Sequence, residues 1–240
     1  MDTIQVIRAR RSVHKFLDKK IPDEVLYTIL EAGHCAPCAG IYTNWRFLVI
    51  ENEEQRKLIG KAAMKQDWIA QAPVVVIVCS DPIAIAKAFG ERAKKLYSIQ
   101  NVAAAVENML IAATNFGMGS CWVGAFAETP LRKEFKIPDG VEIHAIIPLG
   151  YPAERPAQPS KPHFADVCWW NEWFGLKRAP EMFPLEETMP KVKKELQRHL
   201  ARASKEVSTA IKHIKKHAKP KLNEVQRGPA KQSVSLGKKK

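Results

Sequence analysis

The stretch APVVVIVCS (72–80) constrains this chain more than any other. It is apolar throughout and rich in β-branched residues, which suits a strand and leaves no alternate polar face for water. Such a strand must be central in a sheet and covered on both sides, which calls for helices above and below it. The other segments supply them. PDEVLYTILEAG (22–33) places Pro at a helix start, acids in the first turn, Val25, Leu26, Ile29 and Leu30 on one face and Gly33 as a stop. IQNVAAAVENMLIAATNFGMG (99–119) reads as a long Ala-rich helix, apolar around most of its circumference, suited to a domain interior or a subunit interface. ETPLRKEF (128–135) reads as a short helix with Thr129 as cap and Pro130 at its first position. WRFLVIE (45–51) and VEIHAIIPLGY (141–151) are further strands. The fold class expected is α+β, a mixed α/β arrangement of one central sheet flanked by helices.

That body spans residues 1–175, after which the character changes. Residues 176–190 carry closely spaced prolines and read as a linker or arm. Val192, Leu196, Leu200, Ala203, Val207, Ile211, Ile214 and Ala218 then mark one stripe of an added C-terminal amphipathic helix over 191–218, whose other faces are rich in Lys and Arg. Residues 219–240 have little to bury and read as a disordered basic tail. The net charge of +13 follows this division: residues 1–175 hold 20 Lys+Arg against 19 Asp+Glu, and residues 176–240 hold 18 against 6. Basicity belongs to the extension. A helix of this kind packs on the body, pairs with a second copy, or meets a nucleic acid or acidic surface. No apolar run reaches the about 18 residues of a membrane span, and the first residues lack the apolar region of a signal peptide, so the compartment expected is the cytoplasm.

HCAPCAG (34–40) holds Cys35 and Cys38 in C-x-x-C spacing beside His34. A structural zinc site needs a second ligand pair, which the remaining cysteines do not form, so no metal is expected. A redox dithiol draws its low pKa from a helix N-terminus, whereas this pair follows a helix C-terminus, where the dipole opposes a thiolate. Two unpaired thiols in a tight loop remain. GMGSCWVG (117–124) lacks the third glycine of a dinucleotide fingerprint and follows a helix instead of a strand. G-x-S-x-G, H-E-x-x-H and Walker A patterns are absent, which leaves acyl transfer, zinc proteolysis and P-loop chemistry without support. RARRSVHKF (8–16) is different: four cationic side chains with Ser12 and His14 suit a phosphate, and suit equally a solvated basic helix end.

Taken in order, these stretches resemble the nitroreductase family of FMN-dependent oxidoreductases. RRSVHKF is similar to its R-R-S-x-R-x-F, APCAGIYTNWRFLVI to its A-P-S-A-x-N-x-Q-x-W-x-F loop entering a strand, and APVVVIVCSD to its central strand. VAAAVENMLIAATNFGMGSCWVGAF is similar to the long helix and its G-L-G-S-x-W-x-G segment, and IIPLGYPAERPAQPSKPHFADVCWWNEW to the closing region. The resemblance covers about residues 3–175. It implies a homodimer with FMN in two clefts between subunits. NADH or NADPH would reduce the flavin, and a small aromatic or quinone-like acceptor, a nitroaromatic, quinone or flavin, would reoxidise it in the same pocket by a ping-pong mechanism. No protein side chain is then expected to be catalytic, because the chemistry belongs to the flavin.

The resemblance also assigns roles. Arg10, Arg11, Ser12 and His14 would meet the phosphate and ribityl chain, and Lys161 and His163 would add to the phosphate site. Pro37, Cys38 and Ala39 would lie along the isoalloxazine, with Thr43 where the family often has Gln. Gly124 and Ala125 would approach the other side through backbone N–H groups. Cys38 stands where Ser is usual, and Cys35 is expected as a small buried side chain. Ile41 replaces a frequent Asn, Asn101 a frequent acid, and His14 and His163 a frequent Arg, so phosphate binding is expected to weaken as pH rises and imidazoles lose charge. The loss of polar positions at Ile41 and Thr43, together with the basic extension, sustains an alternative: a degenerate flavin-fold dimeric scaffold whose tail binds nucleic acid or an acidic surface.

Overall fold

The apolar run at 72–80 forms β2 (Val74–Ser80), every residue of which is buried. The structure, a computed structural model, describes residues 2–176 and 185–222. It divides into two units, Met1–Pro159 and Ser160–Lys240.

In the first unit β2 lies between β1 (Trp45–Ile50) and β4 (Glu142–Gly150), and the two-residue β3 (Gly119–Ser120) completes the order β1-β2-β4-β3. All three pairings are antiparallel. Alternate residues of β2 enter different cores. Val74, Val76 and Val78 join Leu26 and Ile29 of α2 (Asp23–His34) and Val102, Val106 and Met109 of α5 (Ser98–Asn115). Val75, Ile77 and Cys79 join Ile59 of α3 (Glu53–Ala62), Leu131 of α6 (Glu128–Phe135) and Val13, Cys121 and Val123. A sheet covered twice is what the apolar run demanded; that its strands pair antiparallel is a matter of connection, to which the run is blind.

Gly33 lets α2 and α5 approach, since a Cβ there would stand 2.7 Å from the Met109 Cγ. Helix α5 ends at Asn115, earlier than 119. Gly117, at φ 72°, donates to the Thr114 carbonyl while Met118 donates to that of Ala113, a Schellman closure that needs the left-handed glycine. Two caps differ from expectation. Helix α6 starts at Glu128 with Ala127 as N-cap, so Pro130 sits third in the first turn, where its missing N–H costs nothing, and Thr129 is inside the helix. In α2, Pro22 is the N-cap and Asp23 the first helical residue. Three helices carry start signals of their own. Asp2 and Gln5 form a capping box on α1 (Thr3–Ala9), Asn52 caps α3, and the Asp81 carboxylate accepts from the Ile83 N–H at the start of α4 (Ile83–Arg92). A π-helical turn, Ala93–Tyr97, joins α4 to α5.

The second unit holds a cluster of Trp169, Trp173 and Phe174, with ring centroids 4.7 to 5.5 Å apart, and the long helix α7 (Leu185–Leu222). α7 begins inside the segment read as linker, because Leu185, Glu186 and Glu187 are strong helix formers with acids suited to a first turn. Residues 177–184 of that linker, and residues 223–240 of the expected disordered tail, lie outside the described residues. Among the described residues no helix is long and apolar enough to cross a membrane, and no group of three or more His, Cys, Asp or Glu is placed to hold a metal ion.

Candidate functional site

The segment after α1 runs beside β3. Ser12 bridges Ser120 in parallel, Val13 N–H donates to the Ser120 carbonyl at 3.0 Å, and Val13 is buried between the exposed Ser12 and His14. This alternation is a strand's, and it presents two polar side chains from one short run. The His14 backbone N–H donates to Glu154 Oε1 at 3.1 Å, its Nε2 lies 3.5 Å from Cys121 Sγ, and its ring meets that of Trp68 edge-on at 4.4 Å. Arg11 is half-buried, with Nη1 donating to the carbonyls of Arg8 (2.6 Å) and Arg10 (2.7 Å). Arg10 caps α1 and pairs with Glu107 of α5 at 3.9 Å. Arg11, Val13, Thr114, Gly119 and Glu154 contribute to the lining of a cavity of about 360 Å³. On the adjoining strand, the Ser120 hydroxyl is buried without a hydrogen-bond partner among the described residues. The guanidinium groups of Arg11 and Arg155 border the cavity, which suits an oxyanion. Gly124 and Ala125 follow Val123, which bridges Ile146 of β4, and both are exposed.

The HCAPCAG loop lies with the other face. Cys38 is half-buried against the core of α2 and α5, Pro37 is exposed, and Cys38 Sγ approaches Thr43 Oγ1 at 4.0 Å. Cys35, expected as buried, is exposed, because it caps the C-terminus of α2 rather than entering the helix's apolar face. All five cysteines are free. Burial pushes the Cys79 thiol up to about 11 and raises that of Cys121 as well, so neither is a ready nucleophile.

The turn itself is unusual. Gly40 and Ile41 both have positive φ, 59° and 66°, and Ile41 is 93% exposed. Glycine is required at 40, since a Cβ would stand 2.4 Å from the Phe89 ring. Isoleucine at 41 is strained, where an Asn would fit the left-handed region readily. Asn101, reaching from α5 and only 4% exposed, holds the turn at both ends: its Oδ1 accepts from the Ala39 N–H at 2.9 Å and its Nδ2 donates to the Tyr42 carbonyl at 3.2 Å. Nδ2 also donates to Asn44 Oδ1 at 2.9 Å.

The structure sets Ser12 and His14 beside β3 and Cys121, Arg11 at the cavity next to them and Arg10 against Glu107 of α5, and it packs Cys38 on the α2 and α5 core with Thr43 beside it. Lys161 and His163 belong to the second unit and are exposed there. Sequence reasoning missed Asn44, Ser80, Ser98 and His144, which connect to Asn101. The available signal was polar residues at positions where strand or helix periodicity asks for core.

The nitroreductase family model matches residues 7–66 and 60–151. A candidate NADH dehydrogenase/NAD(P)H nitroreductase of Methanothermobacter thermautotrophicus is 34% identical over 160 residues, 65% of this chain and 80% of that protein. An FMN reductase [NAD(P)H] of Bacillus subtilis is 25% identical over 170 residues, 65% of this chain and 68% of its own. Among solved structures, a candidate NADH dehydrogenase/NAD(P)H nitroreductase of Bacteroides thetaiotaomicron superposes with a TM-score of 0.61 at 26% identity, over 71% of this chain and 98% of that one. With the five motifs, the doubly covered antiparallel sheet and the match across residues 7–151, the chain belongs to the nitroreductase family.

Proposed function

We propose that the chain is an FMN-dependent NAD(P)H oxidoreductase acting on a small acceptor, a nitroaromatic, a quinone or a free flavin. The observation that carries this is the cavity bordered by Arg11 and Arg155 next to the Ser12–Ser120 bridge, with the unpartnered Ser120 hydroxyl on the adjoining strand, in a family that includes an FMN reductase. The residues present fit the group: the Arg11 and Arg155 guanidinium groups at one cavity suit a phosphomonoester. FMN when bound would accept hydride from NADH or NADPH and pass it to the acceptor. The chain's residues then bind and orient. Arg10, Arg11, Ser12 and His14 would hold the phosphate and ribityl chain, and Pro37, Cys38, Ala39, Thr43, Gly124 and Ala125 would bind the ring.

A homodimer with two shared clefts is the assembly that this reading carries over from the family resemblance. Donor and acceptor using one pocket in turn gives ping-pong kinetics, and the same reading places the reaction in the cytoplasm. Incubation with FMN followed by gel filtration is expected to leave a yellow protein that oxidises NADH or NADPH in the presence of a quinone or nitroaromatic. A colourless protein that retains no FMN would overturn the reading. Cys38→Ser is expected to keep FMN and turnover within about twofold and stability within about 1 kcal/mol, since serine preserves the size and the approach to Thr43. A dithiol or metal role would instead abolish activity in that variant.

A further inference from the structure

We propose that α7 pairs with the α7 of a second copy of this chain, parallel and in register, along one nearly straight apolar seam. The inference stands apart from the flavin reading. Val192, Leu196, Leu200, Ala203, Val207 and Ile211 recur in steps of 4, 4, 3, 4, 4, so the spacing repeats after eleven residues: 203 follows 192, 207 follows 196 and 211 follows 200. The same spacing continues in the sequence to Leu185 on one side and Leu222 on the other, the two ends of this 38-residue helix. An eleven-residue period is about 3.67 residues per turn against about 3.6 for a relaxed helix, so the stripe drifts by only about 20° per repeat. A helix with the same period can follow it with slight right-handed coiling.

The stripe needs a cover, and its width says of what kind. Val192, Leu196, Leu200, Val207 and Ile211 are 47 to 60% exposed. Apolar residues take three positions in eleven, a seam one facing helix wide and narrower than the about 100° face of a helix laid on a larger surface. The next positions round the helix are already polar: Lys193, Gln197 and Ser204 on one flank, Glu195 and Glu206 on the other. A lipid surface asks for a broader face with aromatic or bulky residues, and an anionic one would repel the Glu195 and Glu206 flank. A nucleic acid would take the cations and leave the stripe in water.

The flanks also set the direction. In a parallel two-fold pair, one flank of each helix meets the opposite flank of the other. Glu195 of one copy then faces Lys193 of the other, about 3 Å apart along the axis, and Glu206 faces Ser204. Antiparallel helices would set acid flank on acid flank. The basic charge of the extension does not forbid the pairing, because it lies behind. Lys194, Arg198, Arg202, Lys205 and Lys212 sit about 130–165° round the helix from the centre of the seam. With axes about 8–10 Å apart and these side chains pointing outward on both sides, the two sets are separated by more than the Debye length of about 8 Å at physiological salt.

Disulfide cross-linking of the full-length chain tests this. Leu196→Cys and Val207→Cys place single thiols eleven residues apart on the seam, and Arg198→Cys and Thr209→Cys place them eleven apart on the back. Covalent dimer is followed on non-reducing gels during mild copper–phenanthroline oxidation at micromolar protein, with the wild type and its own free cysteines as baseline. Both seam variants are expected to react at similar rates and at least about tenfold faster than the back variants, because pairing holds the two thiols at millimolar effective concentration with Cβ atoms about 4 Å apart. Adding Leu200→Lys to Leu196→Cys is expected to bring the rate down to that of the back. Equal rates on seam and back would overturn the pairing, and fast reaction at only one seam position would overturn the parallel register. Sedimentation with phosphatidylserine–phosphatidylcholine vesicles and gel shift with duplex DNA are expected to be the same for wild type and Leu200→Lys. Retention lost in Leu200→Lys, with seam thiols reacting no faster than the back, would give the stripe to that surface and overturn the proposal. The cross-linking needs no FMN: a chain that takes up no flavin and still cross-links as expected sinks the cofactor assignment alone.

Discussion

Replacing both Arg10 and Arg11 with alanine is expected to raise the FMN dissociation constant about a hundredfold while leaving the thermal midpoint nearly unchanged. A hydrogen bond to a charged group contributes about 1.5–3 kcal/mol and a tenfold change in affinity corresponds to about 1.4 kcal/mol; two adjacent donors to one anion do not add fully, which sets the combined effect near two decades. The folding cost should be small because the native contacts these residues give up are weak. Arg10 meets Glu107 at 3.9 Å across a largely exposed gap, a pair worth about 0–1 kcal/mol, and Arg11 donates to carbonyls at an accessible helix end. Fluorescence titration of FMN, repeated at rising salt, checks both parts: the wild type should weaken steeply with ionic strength and the double variant hardly at all. Equal FMN affinity in the two proteins would remove the phosphate role from this segment.

Ile77→Ala is expected to destabilise the fold by about 3 kcal/mol, inside the about 2–5 kcal/mol range for truncating a fully buried aliphatic residue. Ile77 is 0% exposed at the middle of β2, paired to Leu48 on one side and Ile146 on the other, and it belongs to the core that α3 and α6 close. Strands on both sides and helices above leave little freedom to collapse into the void, so the cavity contribution should survive relaxation. Urea unfolding should show a lower midpoint at an unchanged slope. A loss below about 1 kcal/mol would mean that this face is far more compliant than its packing suggests.

β2 was legible because its message is local and redundant: a run of buried β-branched residues admits one environment. Chain direction was not, since the antiparallel pairing of β2 with β4 joins residues far apart in sequence. Cap residues misled for a related reason. At 127–130 Thr129 and Pro130 are both good helix-start residues, and the helix begins one residue before the first of them, with acidic Glu128 in its first turn. The cofactor segments were recognisable as strings, and the structure does set Arg11, Ser12 and His14 beside Ser120 and Cys121. The chain from Asn101 to His144 was hidden most completely, because each member looks like an isolated polar blemish until Ser80 and His144, 64 positions apart, are seen at 2.7 Å.

The strained turn at Gly40 and Ile41 has a bearing on how such chains can be recombined. Its conformation rests on a side chain 62 positions downstream of Ala39 as well as on the glycine inside it. A segment transplanted from 35–44 into a related protein would transfer the letters and leave the mould behind, unless a partner equivalent to Asn101 travelled with it. The unit of inheritance for this loop is a loop and one helix position together.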